Sequence, residues 1–327
     1  MKERDFGIDL MKFLAVLLIT NSHMDLLYGQ YAFLGTGGTM GNALFFFCSG
    51  FTLFLKPLGT WREFPDWYKR RINRIYPSVL AFAIIACIFF NSHLDILHVI
   101  WQGGGWFIPC IMVFYIFLFF TGAYLKNKIL WVELLVAALT GICFLTAWGR
   151  QRFFTSHLLY DVTSDIRWLL FFIFMLFGAQ VGTFKDRIIR RRSDILLWIV
   201  SIIVFYAFFI PGRMYPRLYF LEYISIVPML GFLFYSYKVF SSNRIKQLLG
   251  NKFIYGTIMC IGGLCLEIYL VQFSLITDKM NNLFPLNIVL IFMLIVVVAY
   301  LTRCFARIIS QTFSEQSYNW KKIIALY

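Results

Sequence analysis

The chain has 327 residues, of which 60% are hydrophobic, 20% aromatic and 14% charged, and its mean hydropathy is +0.74. Soluble globular domains carry about 25% charged residues, so this composition excludes a soluble protein and predicts a polytopic membrane protein. The formal net charge of +14 indicates membrane topology and contact with anionic lipid head groups, and does not favour nucleic-acid binding.

Apolar segments follow one another along the chain, each near the roughly 20 residues that cross a bilayer. In chain order they cover about 8–25, 41–57, 76–92, 104–122, 129–148, 166–184, 195–212, 218–238, 253–275 and 284–303. The first is not expected to be a cleaved signal peptide, because Asp9 and Lys12 interrupt its start and no small-residue cleavage site follows. The predicted fold class is an all-α polytopic membrane helix bundle of about ten transmembrane helices.

The distribution of cations predicts the orientation of these helices, because cytoplasmic loops are enriched in lysine and arginine. With the N-terminus inside, most of the 30 lysines and arginines lie on inner segments, including Arg303 and Arg307 after the last helix. Both termini are therefore predicted to be cytoplasmic. The chain is expected to form a single transmembrane domain over residues 1–310, followed by a short cytoplasmic tail over 311–327.

The first segment contains "KFLAVLLITNSH", which runs from Lys12 to His23. At about 100° and 1.5 Å per residue, eleven positions place both side chains on nearly one helical face, roughly 16 Å apart. Lys12 could snorkel to the inner surface while His23 marks the outer boundary beside Asp25. The alternative is a polar stripe that faces the bundle interior or a wet cavity, and the spacing leaves both open.

The second segment, "GNALFFFCSGFTLFLKP", places Asn42, Ser49 and Lys56 at intervals of seven residues. Each step drifts by only about 20° around a helix, so the three form a second polar stripe. Interhelical hydrogen bonds and close packing at Ser49 and Gly50 explain it equally well. No GxSxG elbow surrounds Ser49, so it is not interpreted as a hydrolase nucleophile.

The stretch "KRRINRIYP" places Arg70, Arg71 and Arg74 just before the third segment. Spacings of three and four residues allow all three to project toward one side of a helix. Guanidinium groups suit bidentate contacts with phosphate, although a positive-inside anchor would have the same pattern. A short amphipathic surface helix is expected over 65–73.

The ninth segment contains "GGLCLEIYLVQ", which places Glu267 near the middle of the membrane. A carboxylate at that depth is costly and indicates a partner or a cavity. A structural ion pair, with Lys12 as one candidate partner, and a role in a functional site are both open. No metal site is expected, because the cysteines lack CxxC spacing and the histidines form no HExxH pattern.

Taken together and in order, these pieces resemble the acyltransferase-3 family of integral membrane acyltransferases. The matching stretches are "GIDLMKFLAVLLITNSH", "GNALFFFCSGFTLFL", "YKRRINRIYP", "GGWFIPCIMVFYIFLF" and "CLEIYLVQ". The family's basic residue, ten intervening residues and histidine fall on Lys12 and His23, with lysine where many members have arginine. Some members have a histidine where this chain has Gln272, so any second histidine role is absent.

The resemblance implies an enzyme in the cell inner membrane that moves an acyl group, usually acetyl, from cytoplasmic acetyl-CoA to a hydroxyl of an envelope polysaccharide or lipid-linked sugar. Lys12 and the three arginines would face the phosphates of coenzyme A, with Ser49 added as a further donor-binding candidate. His23 would be the general base, with Asp25 or Glu267 orienting its ring. The acyl-CoA, the glycan and membrane lipids are thus the expected partners, and self-association is open.

Two other functions fit the same polar stripes. A transporter or flippase would move a glycan or lipid-linked intermediate without acyl chemistry, and a non-catalytic scaffold would support an envelope-polysaccharide assembly. Transporters often have internal repeats and broken helices in matching positions. Neither feature is evident in this sequence, and consumption of an acyl donor would separate the enzyme from both rivals.

Overall fold

The computed structural model describes residues 5–90, 99, 105–149, 159–161, 164–313 and 317–326. Within these ranges the ordered elements are helices and no strand occurs, which confirms the predicted all-α class. The α-helices are α1 (Phe6–Ser22), α2 (Gly38–Phe54), α3 (Phe64–Phe90), α4 (Phe107–Tyr124), α5 (Ile129–Gly149), α6 (Ile166–Phe184), α7 (Asp194–Met214), α8 (Phe220–Ile224), α9 (Ile226–Phe240), α10 (Asn243–Leu249), α11 (Lys252–Gly263), α12 (Cys265–Leu275), α13 (Leu286–Thr312) and α14 (Trp320–Ile324).

The helices account for the predicted membrane segments. Among the described residues, seven helical stretches are long and apolar enough to cross a membrane, or nine if each of two bent pairs forms one span. Helix α2 is also apolar but has 17 residues. Each segment predicted from the sequence coincides with one of these stretches, bent pairs or α2, and the protein is therefore a multi-pass membrane protein.

Two predicted segments are bent rather than straight. After α1 the chain turns by 98° into a 3₁₀ helix at Asp25–Leu34, and α11 meets α12 at an angle of 71°. Gly262 and Gly263 lie directly before the second break, and glycine lowers the stability of a helix interior by about 1 kcal/mol. The prediction of continuous helices over 8–25 and 253–275 was wrong at these two points.

Contacts divide the chain into two compact units. The first unit consists of Met1–Met11, Asn42–Gly59 and Phe117–Asn251, and the second of Lys12–Gly41, Thr60–Ile116 and Lys252–Tyr327. The prediction of a single domain over 1–310 stays a prediction.

In the first unit, α2 packs directly on α6 through glycines. A Cβ atom on Gly50 would lie 1.8 Å from the carbonyl oxygen of Met175, and one on Gly178 would lie 2.0 Å from that of Phe47. Small residues of this kind let helix backbones approach closely in membrane proteins, where van der Waals packing is a main source of helix association. The expected close packing at Gly50 is thus present.

Substitution of Gly178 tests this packing. We expect Gly178→Ala to lower the stability of the protein by about 1–3 kcal/mol, because the added methyl group overlaps a backbone oxygen that cannot rotate away. Gly256→Ala in α11 is the control, since nothing lies within 4 Å of a Cβ atom there. Thermal unfolding of both variants in detergent measures the difference, and equal melting temperatures would contradict the glycine contact.

In the second unit, α3 and α12 both pack on α13. A hydrophobic core joins Val16, Met24 and Leu27 with Leu264, Ile268 and Val271 and with one face of α13. The end of α1 and the chain just after it therefore lie against α12. This packing fixes the surroundings of His23.

Helix α3 is longer than its predicted span. It continues unbroken for 27 residues, about 40 Å, with Pro77 inside it. The surface helix expected over 65–73 forms the first turns of this element, so it is not a separate helix. The basic residues of α3 and its apolar half consequently belong to one continuous helix.

Candidate functional site

His23 lies directly after α1, at the 98° bend. Its backbone N–H donates to the carbonyl of Thr20 at 3.1 Å, so the last turn tightens into 3₁₀ geometry. The imidazole is half-buried, and its ring centre is 4.5 Å from that of Phe273 on α12. The exposed Asp25 carboxylate is close enough to act electrostatically on the ring.

Asn21 fixes the chain that follows His23. Its side-chain Nδ2 donates to the carbonyls of Leu34 and Thr36 at 2.8 and 2.9 Å, and its Oδ1 accepts from the Tyr28 hydroxyl at 2.5 Å. The 3₁₀ helix is thereby folded back onto the end of α1. This network holds the bend and leaves the imidazole at its apex.

Two buried polar side chains of α1 and α12 have unused hydrogen-bonding capacity. Gln272 is fully buried, and neither its amide nitrogen nor its amide oxygen has a partner among the described residues. The hydroxyl of the buried Thr20 likewise has no hydrogen-bond partner among the described residues. Unpaired buried polar groups each cost about 1–3 kcal/mol, a cost that a polar ligand would remove. Gln272 directly precedes Phe273, the residue against the imidazole.

Glu267 forms a structural ion pair within the second unit. Its Oε2 lies 2.5 Å from a guanidinium nitrogen of Arg303, and its Oε1 accepts from the Ser78 hydroxyl at 2.7 Å. The same guanidinium nitrogen donates to the carbonyl of Gly263 at the end of α11. Arg303 thus provides a hydrogen-bond partner for a carbonyl group that the helix break leaves without one. It is also the cation that pairs with Glu267, for which Lys12 was one candidate from the sequence.

The three arginines of α3 differ in their surroundings. Arg71 is half-buried, with its guanidinium carbon 5.0 Å from the ring centre of Trp67, and Trp67 contacts Tyr115 of α4 edge-on at 6.0 Å. Its buried Nε has no hydrogen-bond partner among the described residues. Arg70 and Arg74 are exposed, and their charges act on Arg71. One guanidinium that stacks on Trp67 and keeps an unpaired donor, flanked by two exposed ones, suits an anion with several phosphates.

A cavity of about 920 Å³ lies on the opposite side of α3, between that helix, Met112 of α4 and the end of α13. Its lining includes Tyr68, Lys69 and Tyr76. At about 100° per residue, these positions occupy the half of α3 that does not carry the arginines. Lys69, which lines this cavity, therefore lies about 160° around α3 from Arg71.

The remaining predicted residues are placed as follows. Lys12 is half-buried on α1 in the second unit, and Ser49 is half-buried on α2 in the first. Asp25 is exposed and follows His23 by two residues, and Glu267 pairs with Arg303. His93, His98 and His157 lie outside the described residues, and none of the seven cysteines, all of which are described, forms a disulfide.

Sequence reasoning missed several residues around His23. Asn21 and Thr20 directly precede it, but only the bend reveals what they bond or leave unbonded. Phe273 carries no polar signal and is recognised by its contact alone. Arg303 was counted only among the cytoplasmic cations that predict orientation, because its distance from Glu267 along the chain hides their pairing.

Comparison with known families agrees with this geometry. The family model described as an acyltransferase domain matches residues 5–304, a range that includes every residue of the candidate site. No curated protein and no solved structure matches the chain. A match over most of a multi-pass helical chain shows the family, and this protein therefore belongs to the acyltransferase-3 family of membrane acyltransferases.

Proposed function

We propose that the protein transfers an acetyl or related acyl group from cytoplasmic acyl-CoA to a hydroxyl of a cell-envelope glycan or lipid-linked saccharide at the outer side of the inner membrane. The observation that carries the proposal is the His23 imidazole, half-buried at the apex of a bend that Asn21 holds and in contact with the Phe273 ring. Ionisable residues of membrane-spanning segments commonly mark functional sites. The family match supplies the reaction class.

The donor would bind at α3. Arg71, with its free buried Nε, would meet a phosphate of coenzyme A, and the exposed Arg70 and Arg74 would neutralise the others. Lys12 on α1 would add a charge between this face and His23. Ser49 stays a prediction for the donor site, supported by the sequence pattern alone.

The transfer step follows from the chemistry of a neutral imidazole, whose ordinary pKa of about 6.5 makes it a proton acceptor at neutral pH. His23 would take the proton of the acceptor hydroxyl while that oxygen attacks the thioester carbon. The new C–O bond forms as the C–S bond breaks, and the proton passes from His23 to the departing thiolate. Asp25 would stabilise the imidazolium that exists between these events.

The role of Glu267 can be separated from catalysis. We expect Glu267→Gln to destabilise the protein by about 3 kcal/mol, because it leaves the partly buried Arg303 guanidinium without its counter-charge. The double variant Glu267→Gln with Arg303→Met removes both charges and should recover most of that stability. If Glu267 is structural, transfer activity returns together with the melting temperature. A stable double variant that remains inactive would instead support a direct role in the reaction.

A transporter or flippase remains the second candidate, because the structure contains two bent helix pairs. Broken helices often form substrate sites in transporters. Reconstituted protein distinguishes the two functions, since a flippase moves the saccharide without consuming acyl-CoA. Flux at an unchanged rate in the absence of a donor would overturn the enzyme proposal.

Mass spectrometry of envelope glycans from cells with and without the gene tests the proposed function directly. We expect an acyl mass to disappear from one glycan when the gene is absent and to return on complementation. The lost mass also separates acetyl from larger groups such as succinyl. Identical glycan masses in both strains would contradict the proposal.

A further inference from the structure

A second cavity, of about 590 Å³, lies in the first unit between the end of α6 and α9. One part of its lining is apolar and aromatic, with Phe177, Phe184 and Phe234. Cations form the other part, namely Arg187, Arg191 and Lys238. These cations belong to the segments that the charge distribution predicts to face the cytoplasm.

A buried ion pair lies at the wall of this cavity. Lys238 on α9 lies 2.6 Å from Oδ1 of Asp194, and both side chains are buried. The other oxygen of Asp194 accepts the backbone N–H of Arg191 at 2.6 Å. These two contacts fix the chain between α6 and α7 against α9. The positions of Arg187 and Arg191 in the cavity wall are therefore set by the fold.

The ion pair leaves two of the three cations available. Lys238 is neutralised by Asp194 and lies 5.5 Å from the centre of the Phe234 ring. Arg187 and Arg191 have exposed side chains, and neither pairs with a carboxylate of the described residues. Arg187 lies over the Phe184 ring at 5.8 Å. The cavity therefore offers two free guanidinium groups beside an aromatic wall.

We propose that this cavity binds an anionic phospholipid of the inner leaflet. The lipid phosphate would lie between Arg187 and Arg191, because guanidinium groups form paired hydrogen bonds with phosphate oxygens. One acyl chain would pack along the three phenylalanines. Basic pockets between membrane helices on the cytoplasmic side suit such head groups, and the apolar wall would have no role for a free anion. This inference is independent of acyl transfer, since its residues lie apart from the arginines of α3 in the sequence and belong to the other unit.

Native mass spectrometry of the full chain in detergent tests this site. Dioleoyl phosphatidylglycerol and dioleoyl phosphatidylcholine are titrated separately, and the wild type should bind the anionic lipid at least tenfold more tightly. We expect Arg187→Ala with Arg191→Ala to weaken phosphatidylglycerol binding about tenfold or more, since each charged hydrogen bond is worth about a tenfold change. The variant Arg187→Lys with Arg191→Lys keeps the charge but loses the paired hydrogen bonds. Its affinity for phosphatidylglycerol should lie between those of the wild type and the double-alanine variant.

The matched control is Arg244→Ala with Lys246→Ala, which removes the same charge from exposed positions of α10 in the same unit. This control should keep the affinity of the wild type. An equal loss in both double variants would show a general charge effect and overturn the site. Equal binding of both lipids, or displacement of the lipid by inorganic phosphate or coenzyme A at micromolar concentration, would overturn it as well. Circular dichroism confirms that each variant is folded.

Discussion

Replacement of His23 by alanine is expected to reduce acyl transfer by about 10²–10⁴-fold, the usual contribution of a positioned general base. The protein should still fold, because the imidazole is half-buried and has Phe273 as its ring contact. His23→Gln keeps a polar side chain of similar size without a base and should be as inactive. The measurement is the release of free coenzyme A thiol together with the transfer of labelled acetyl to envelope glycan by protein in liposomes.

Two controls make this result specific. His98→Ala removes another of the four histidines, one to which no role is assigned, and it should transfer acetyl at the native rate. Donor affinity of His23→Ala, measured by calorimetry with coenzyme A, should stay within about twofold of the wild type, because the phosphates are assigned to other residues. A His23→Ala protein with native transfer would remove His23 from the mechanism.

Replacement of Arg71 by glutamine is expected to raise the dissociation constant for coenzyme A by about 10–100-fold. A hydrogen bond to a charged group contributes about 1.5–3 kcal/mol, and each 1.4 kcal/mol is a factor of ten in affinity. The effect should appear in KM for acetyl-CoA more than in kcat, since the phosphates are bound alike before and during transfer. Dephosphorylated coenzyme A analogues should lose less affinity from the substitution than coenzyme A itself.

Lys69→Gln is the matched control for this experiment. Lys69 has the same charge and lies on the same helix two residues earlier, but it lines the cavity on the opposite side of α3. Its substitution should change donor affinity by less than about threefold. An equal loss in the two variants would show that the total charge of α3 matters and that the position of the guanidinium does not.

The helices themselves could be predicted because long apolar segments leave few alternatives in a membrane. The segments at α5, α6 and α7 agree with the structure to within two residues. The bend after α11 could not be predicted from hydrophobicity, because apolar residues continue on both sides of it and the stabilising Arg303 lies far along the chain. The bend after α1 lies in a polar stretch, but the carbonyls that Asn21 bonds belong to Leu34 and Thr36, which no local pattern identifies. Arg303 stabilises one break and Asn21 holds the other.

The candidate site was only partly predictable for the same reason. Lys12 lies on α1 and His23 directly follows its last residue, so helix geometry relates the two only up to the end of that helix. Glu267, Ser78 and Arg303 meet from three helices, and no local pattern encodes that meeting. The difference between Arg71 and its two neighbours also depends on α4, because Tyr115 is part of the cluster around Trp67.

The hydrogen bond between Ser78 and Glu267 joins α3, which carries the arginines proposed to bind the donor, to α12, which contacts the proposed general base. Ser78 follows Arg74 by one turn of α3, and Glu267 starts α12, whose Phe273 contacts the His23 ring. A shift of α3 on donor binding would therefore move α12 through the Ser78–Glu267 hydrogen bond, and with it the Phe273 ring that contacts the imidazole. Thermodynamic linkage then requires reciprocity: a donor that improves acceptor binding is itself bound more tightly when the acceptor is present. The enzyme would in that case engage the proposed donor and acceptor cooperatively, so that each raises the affinity for the other.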